Sequence, residues 1–191
     1  MTKSKFALLI LLPLVLLQGC ATAVITGAAT GASLAHDRRT TGSVIDDQGI
    51  EFKAASAIYS NKAIYNQSHI NVTSYNGTVL LTGEALTEQL KQQIHDLVRA
   101  LPKVRTIHNE LIIAAPSAIP SRSSDAWITS KVKAKIAAEK GLDPFFVKVV
   151  TEHGIVYLMG IVTRAEAQKS VQIVSNSAGV QRVVKIFEYI D

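Results

Sequence analysis

The sequence predicts an α+β protein made of two tandem αββαβ units, each a three-stranded mixed sheet with two helices on one face. Three observations carry this. The pattern G-x-V-x-L-x-G occurs twice, at residues 77–83 and 154–160. Each copy follows a segment with apolar residues at helical spacing: Ile50, Ala54 and Ile58 before the first, and Ile128, Val132 and Ile136 before the second. Each is followed by a second helical segment, from Thr87 or Thr163, and then by a strand-like run, VRTIHNELII or VQRVVKIFEYI. A unit repeated at this interval marks the whole architecture, and roughly 65 to 70 residues is the small end for independent folding.

The chain opens with MTKSKFALLILLPLVLLQGC, in which two lysines precede an apolar run from Phe6 to Leu17. That run of about twelve residues is too short to span a hydrocarbon core of about 30 Å, and has the layout of a secretory signal peptide over residues 1–19. Leu17, Gly19 and Cys20 resemble a bacterial lipobox, which implies cleavage before Cys20 and acylation of its thiol and new amino group. Cys20 is the one cysteine in the chain, so an intramolecular disulfide framework is excluded. Residue 21 is Ala rather than Asp, and the resemblance to bacterial lipoproteins then implies passage to the outer membrane, facing the periplasm. Net charge is +5; losing Lys3 and Lys5 leaves +5 minus 2, or +3. Such a mild excess suits an anionic membrane surface. Residues 20–45 are rich in Ala, Gly and Thr without period and read as a flexible tether.

The first domain is placed at 46–114, with Asp47 as the acidic start of its first helix. Asn76-Gly77 sits where a two-residue hairpin turn needs positive φ, and Gly83 is placed at the end of the second strand. Residues 115–123 read as a short extended linker because AAPSAIPSRSSD holds two prolines. The second domain, 124–191, repeats the plan: Asp125 starts its first helix, His153-Gly154 makes the turn, and Gly160 ends the strand. Thr163 and Glu166 have capping-box spacing.

The two sheets differ on the side away from the helices. In the first unit Thr73, Thr78, Thr82, His108 and Glu110 make that side polar. In the second the matching positions are Val150, Ile155, Met159, Val184 and Ile186, with Tyr157 among them. Such an apolar patch rarely faces water, so Ile155, Tyr157 and Met159 are expected on an interdomain face.

Catalytic chemistry finds little footing. His36, His69, His95, His108 and His153 are scattered and read as surface polar residues, no metal-ligand spacing stands out, and Ser123 and Ser124 have no base evident beside them. No catalytic residue, metal site, cofactor or small-molecule substrate is expected, and export removes nucleic acid as a partner. One helix is unusual. On DAWITSKVKAKIAAEK, the single tryptophan, Trp127, shares a face with Lys131 and Lys135, away from the Ile128, Val132, Ile136 stripe. The first unit has Gly49 and Ala57 at the positions of Trp127 and Lys135. A ring suited to the membrane interface, flanked by ammonium groups, fits an anionic leaflet.

Two G-x-V-x-L-x-G units in αββαβ order, with LLQGC ahead of them, resemble the dual BON-domain outer-membrane lipoproteins (bacterial OsmY and nodulation domains). NVT-Y-G-VLL-G, DAWIT-KV and VVTEHG with LMG-VT carry the resemblance over nearly the whole chain. It implies a non-enzymatic protein that binds anionic, phosphatidylglycerol-like phospholipid through the second domain, concentrates at division sites and supports envelope integrity. On the first helix of that domain the candidate contacts are Trp127, Ser130, Lys131, Lys133, Ala134 and Lys135. The alternative is an adaptor for outer-membrane protein assembly machinery.

Overall fold

The computed structural model describes residues 37–116 and 119–191. The leader, Cys20 and the tether through residue 36 lie outside them. The first unit consists of α1 (Thr41–Ser60), α2 (Lys62–Tyr65), β1 (Ser68–Tyr75), β2 (Thr78–Ala85), α3 (Glu88–Arg99), β3 (Thr106–Asn109) and β4 (Ile112–Ile113). The second consists of α4 (Ile119–Ala138), a 3₁₀ turn (Pro144–Phe146), β5 (Lys148–Glu152), β6 (Ile155–Val162), α5 (Arg164–Ser175) and β7 (Arg182–Tyr189). In each sheet the central strand pairs antiparallel with the strand before it and parallel with the one after α3 or α5. This is the expected α+β class with two mixed sheets.

Each unit has its own core between helices and sheet. Ile50, Ala54 and Ile58 of α1 meet Val79, Leu81, Ile94 and Val98; Ile128, Val132 and Ile136 of α4 meet Val149, Val156, Leu158 and Val174. Thr87 and Thr163 cap α3 and α5, the latter through a complete capping box with Glu166. Asn76 and Gly77 adopt φ of 50° and 74°, and His153 and Gly154 51° and 71°, so both hairpins close with positive φ at both central residues.

Several expectations need correction. The tether ends before residue 45: Thr40 caps α1, which starts at Thr41, so Asp47 lies in its second turn. The linker is helical from Ile119, because Pro120 stands in the first turn of α4 where its missing N–H costs nothing, and Asp125 too is inside the helix. Gly83 and Gly160 lie within β2 and β6 rather than at their ends. A Cβ on Gly83 would collide with the His69 carbonyl oxygen, and one on Gly160 with that of Phe146. Close backbone approach is what these glycines serve. The expected single strand at 104–113 is interrupted after Asn109, whose side-chain oxygen accepts the Leu111 N–H. The short helix α2, absent from the sequence reading, is started by Asn61, which accepts from Ala63 and Ile64, and it buries Ile64.

The outer faces of the two sheets pack on each other. Tyr75 and Leu80 of the first meet Tyr157, Met159 and Ile186 of the second, all buried, with Val150, Ile155, Ile161 and Val184 around them. The polar outer face of the first sheet is therefore largely covered, and Thr82 is buried. The two hairpins run head to tail across this seam. Lys148, at the open end of the second, reaches Glu51 and the Ser74 carbonyl near the first turn, while Asn71, towards the open end of the first, donates to Glu152 beside the second turn.

Candidate functional site

The outward face of α4 is built from its helical phase. With Ile128, Val132 and Ile136 buried, Trp127, Ser130, Ala134 and Lys135 fall on the exposed side, and Trp127 remains 60% exposed. Lys131 lies beside them, its Nζ 3.3 Å from the centre of the Trp127 ring, a cation–π contact. The same Nζ donates to the Ala178 carbonyl at 3.2 Å, and Lys135 Nζ donates to the Asn176 carbonyl at 3.2 Å. These carbonyls belong to the end of α5 and the loop after it. The Ser130 hydroxyl donates back to the Ala126 carbonyl, so it is a helix-surface group. Lys133 is exposed but two residues off this row, about 200° from Lys131 around the helix. The structure thus groups Trp127, Ser130, Lys131, Ala134 and Lys135 on one surface and leaves Lys133 on another flank.

A groove of about 420 Å³ runs beside Trp127, between Asp125 and Ile128 on one side and the His153–Gly154 turn, Gly179 and Gln181 on the other. What fixes the helix over it is Asp125, whose carboxylate accepts the N–H groups of His153 and Gly154 at 2.9 and 2.8 Å. Thr129 adds a 2.7 Å bond to Thr151. Asp47 does the same work in the first unit, accepting from the Ser74 hydroxyl, Asn76 N–H and Gly77 N–H. Both aspartates are buried, and each ties a helix to a hairpin turn. Their 78-residue offset from one another, matched to the 77-residue offset of the turns, was the available signal in the sequence.

The helix α1 has a different outward face. Ile45, Phe52 and Tyr59 are exposed at seven-residue spacing, Phe52 by 75%. They form one apolar row along the helix, which the core-first reading of the sequence passed over. Tyr59 also packs on Tyr65, ring centres 5.2 Å apart. Of the two phenylalanines after Asp143-Pro144, Phe145 is exposed and Phe146 packs on the second core beneath Arg38.

At the seam, Ile155 is half-buried while Tyr157 and Met159 are buried. Burial, joined by the Glu110 carboxylate, pushes the Tyr157 hydroxyl up to about 12, and burial with Asp37 does the same to Tyr75. Arg38 and Arg39, expected in the tether, strap the two domains together. Arg38 makes a two-bonded pair with Glu166, donates to the Ile161 carbonyl and lies over the Phe146 ring. Arg39 bonds Asp47 and Asp37 and covers the Tyr75 ring. The hydrogen bonds from Arg38 hold the Glu166 carboxyl below its ordinary value. Burial works to raise Asp37, but its bonds from Arg39 outweigh that and leave it lowered.

Two of the histidines read as surface residues sit instead at the other end of the seam. His69 Nδ1 is 3.1 Å from Glu84 Oε2, its direct cross-strand neighbour, and His153 Nε2 is 2.6 Å from Glu84 Oε1. Glu84 is fully buried. Only the folded arrangement of both repeats brings these three together.

The sequence is 37% identical, over 93% of this chain and 92% of the relative, to a Haemophilus influenzae protein named outer membrane lipoprotein DolP. It is 32% identical to a 21 kDa hemolysin of Actinobacillus pleuropneumoniae, over 81% of this chain and 79% of that one. To the osmotically inducible protein Y of Escherichia coli it is 24% identical, over 83% and 80%. The BON domain profile matches residues 46–115 and 124–191, each match spanning one of the two sheets and its helices. With two such matches and a structure of two αββαβ units, the chain belongs to the BON domain family.

Proposed function

We propose that this protein is an outer-membrane lipoprotein, anchored through acylated Cys20 and facing the periplasm, that binds anionic phospholipid through the outward face of α4. Its work is non-enzymatic: it supports envelope integrity, with enrichment at the division septum. The observation that carries the reading is the exposed Trp127 ring stacked with Lys131 and flanked by Lys135, where the first domain has Gly49 and Ala57. The name of the Haemophilus relative supports the membrane and the lipid anchor.

Magnitudes assign the labour. A lysine near an anionic leaflet contributes about 1 kcal/mol, so Lys131 and Lys135 together supply about 2 kcal/mol, short of the roughly 4 kcal/mol that a millimolar affinity represents. The Trp127 ring adds an interfacial contact, and the acyl anchor raises the local concentration of the surface. Because Lys131 and Lys135 each commit one N–H to a carbonyl, two of their three donors remain for phosphate oxygens.

Sedimentation with phosphatidylglycerol and phosphatidylcholine vesicles tests this on a chain beginning at residue 21. Binding to the anionic vesicles that falls with salt and with Trp127→Ala supports it; no binding at low salt contradicts it. A second reading, an adaptor that docks on outer-membrane protein assembly machinery, draws on the exposed Ile45, Phe52 and Tyr59 row of α1.

A further inference from the structure

We infer that α1 pairs antiparallel with α1 of a second copy of this chain, about a two-fold axis at Gly49. The outward face of this helix is apolar and open: Ile45, Phe52 and Tyr59 are 63%, 75% and 62% exposed. Each sheet carries its helices on one face and meets the other sheet with the opposite face, so α1 looks away from the second domain. Pairing there leaves the Trp127 face of α4 uncovered and is independent of lipid binding.

Charge complementarity selects a second copy as the occupant. At about 100° per residue, positions seven apart nearly superpose, so this side of α1 carries three parallel rows. Ile45, Phe52 and Tyr59 form one edge, Asp46 and Lys53 the other, with Gly42, Gly49 and Ser56 between them. A two-fold axis that reverses the helix sets each edge against the same edge of the copy. Placed at Gly49, it brings Ile45 onto Phe52 of the second copy, Asp46 onto its Lys53, and Ser56 onto its Gly42. Opposite charges and apolar side chains then meet on both sides of the axis. A parallel pair would lay the apolar edge on the charged one. Lys53 is exposed, and Asp46 makes an exposed pair with Lys103 at 3.7 Å, so both charges are accessible to the copy.

The helix surface also fits a close neighbour. Glycine within a helix weakens it relative to alanine, and Gly49 has no internal contact that requires it. A Cβ placed there meets nothing within 4 Å. The notch it leaves between Phe52 and Lys53 on one turn and Ile45 and Asp46 on the other admits a second helix, at the short end of the usual 8–10 Å axis separation. The matched stretch, residues 42 to 56, is about 21 Å long. One helix pair of that length buries less than the roughly 1,600 Å² of a standard interface, so the dissociation constant is expected on the order of 100 µM.

The test is sedimentation equilibrium from about 10 µM to about 1 mM on the chain beginning at residue 21, which keeps every element of the fold and lacks the Cys20 thiol. A monomer–dimer equilibrium is expected. Gly49→Leu should weaken it at least about tenfold without lowering the thermal midpoint, because the added side chain has open room and favours helix. Asp46→Lys and Lys53→Asp should each weaken it about fivefold, and the two together should restore it to within about twofold. A chain that stays monomeric at about 1 mM, a dimer that survives Gly49→Leu, or a double variant no better than the single ones overturns the proposal. Should a charge variant fail to fold, Gly49→Cys decides: a disulfide between two copies under mild oxidation, absent from Ser130→Cys, supports the pairing, and its absence overturns it.

Discussion

Lys131 Nζ lies 3.3 Å from the centre of the Trp127 ring and at the same time donates to the Ala178 carbonyl. The lysine therefore holds the indole on the α4 surface and ties α4 to the loop after α5. Losing it removes charge and frees the ring together. Lys131→Ala and Lys135→Ala are each expected to weaken binding to anionic vesicles about fivefold, the equivalent of about 1 kcal/mol. The effect should shrink as salt shortens the screening length from about 10 Å at 0.1 M. Vesicle binding isotherms at two ionic strengths check both statements.

Asp125 and Asp47 each fasten a helix to a hairpin turn through two backbone N–H groups. Hydrogen bonds to a charged group contribute about 1.5–3 kcal/mol, and removal strands buried donors. Asp125→Ala is expected to cost about 3 kcal/mol or more in urea unfolding. It should also weaken vesicle binding, since the helix that carries Trp127 loses its register over the turn. Asp47→Ala should cost as much stability and leave vesicle binding of the folded fraction intact.

The seam makes an alkaline prediction. Tyr75 and Tyr157 are raised from 10.0 to about 12, chiefly by burial. Their unfolded forms ionise first, so the stability they report is present below about pH 10 and is lost as pH rises towards 12. Ultraviolet titration should show both phenols ionising near 12. Leu80→Ala or Met159→Ala, expected to cost about 2–5 kcal/mol, should bring those transitions down towards 10.

The strap makes an acid one. Glu166 is held below its ordinary value by the hydrogen bonds from Arg38, so its contribution is present above about pH 4.5 and is lost as pH falls through the lowered value. Thermal midpoints of the protein should fall more steeply below pH 4.5 than those of Arg38→Ala. At neutral pH that variant should be less stable by about 1–2 kcal/mol, because it loses two charge-assisted bonds to Glu166 and the contact of the guanidinium with the Phe146 ring.

Much of the fold could be read from the chain because the repeat compares it with itself. Gly77 on Gly154 and Val79 on Val156 placed both hairpins, and the spacing of Ile128, Val132 and Ile136 set which side of α4 is buried. Boundaries were misplaced where local signals competed. Asp47 and Asp125 look like helix caps, yet their carboxylates serve turns about 30 residues away, a partnership with no local pattern. Pro116 and Pro120 suggested an extended joint, although Pro in a first helical turn breaks nothing. The strap and the His69, Glu84, His153 group were not legible for a related reason: the contacts of Arg38 with Glu166 and of His153 with Glu84 cross the seam, and only sheet-on-sheet packing creates them. Glu84 carried the one hint, an acidic residue at the end of a strand whose alternate residues are Leu80 and Thr82.

The central claim, that the α4 face meets anionic lipid, has a built-in probe, because Trp127 is the one tryptophan in the chain. Its fluorescence can be followed as phosphatidylglycerol vesicles are added to a chain beginning at residue 21, with lipids brominated on their acyl chains as quenchers. The account predicts a blue shift and quenching, both reversed by salt. Vesicle binding with an unshifted, unquenched Trp127 would contradict it.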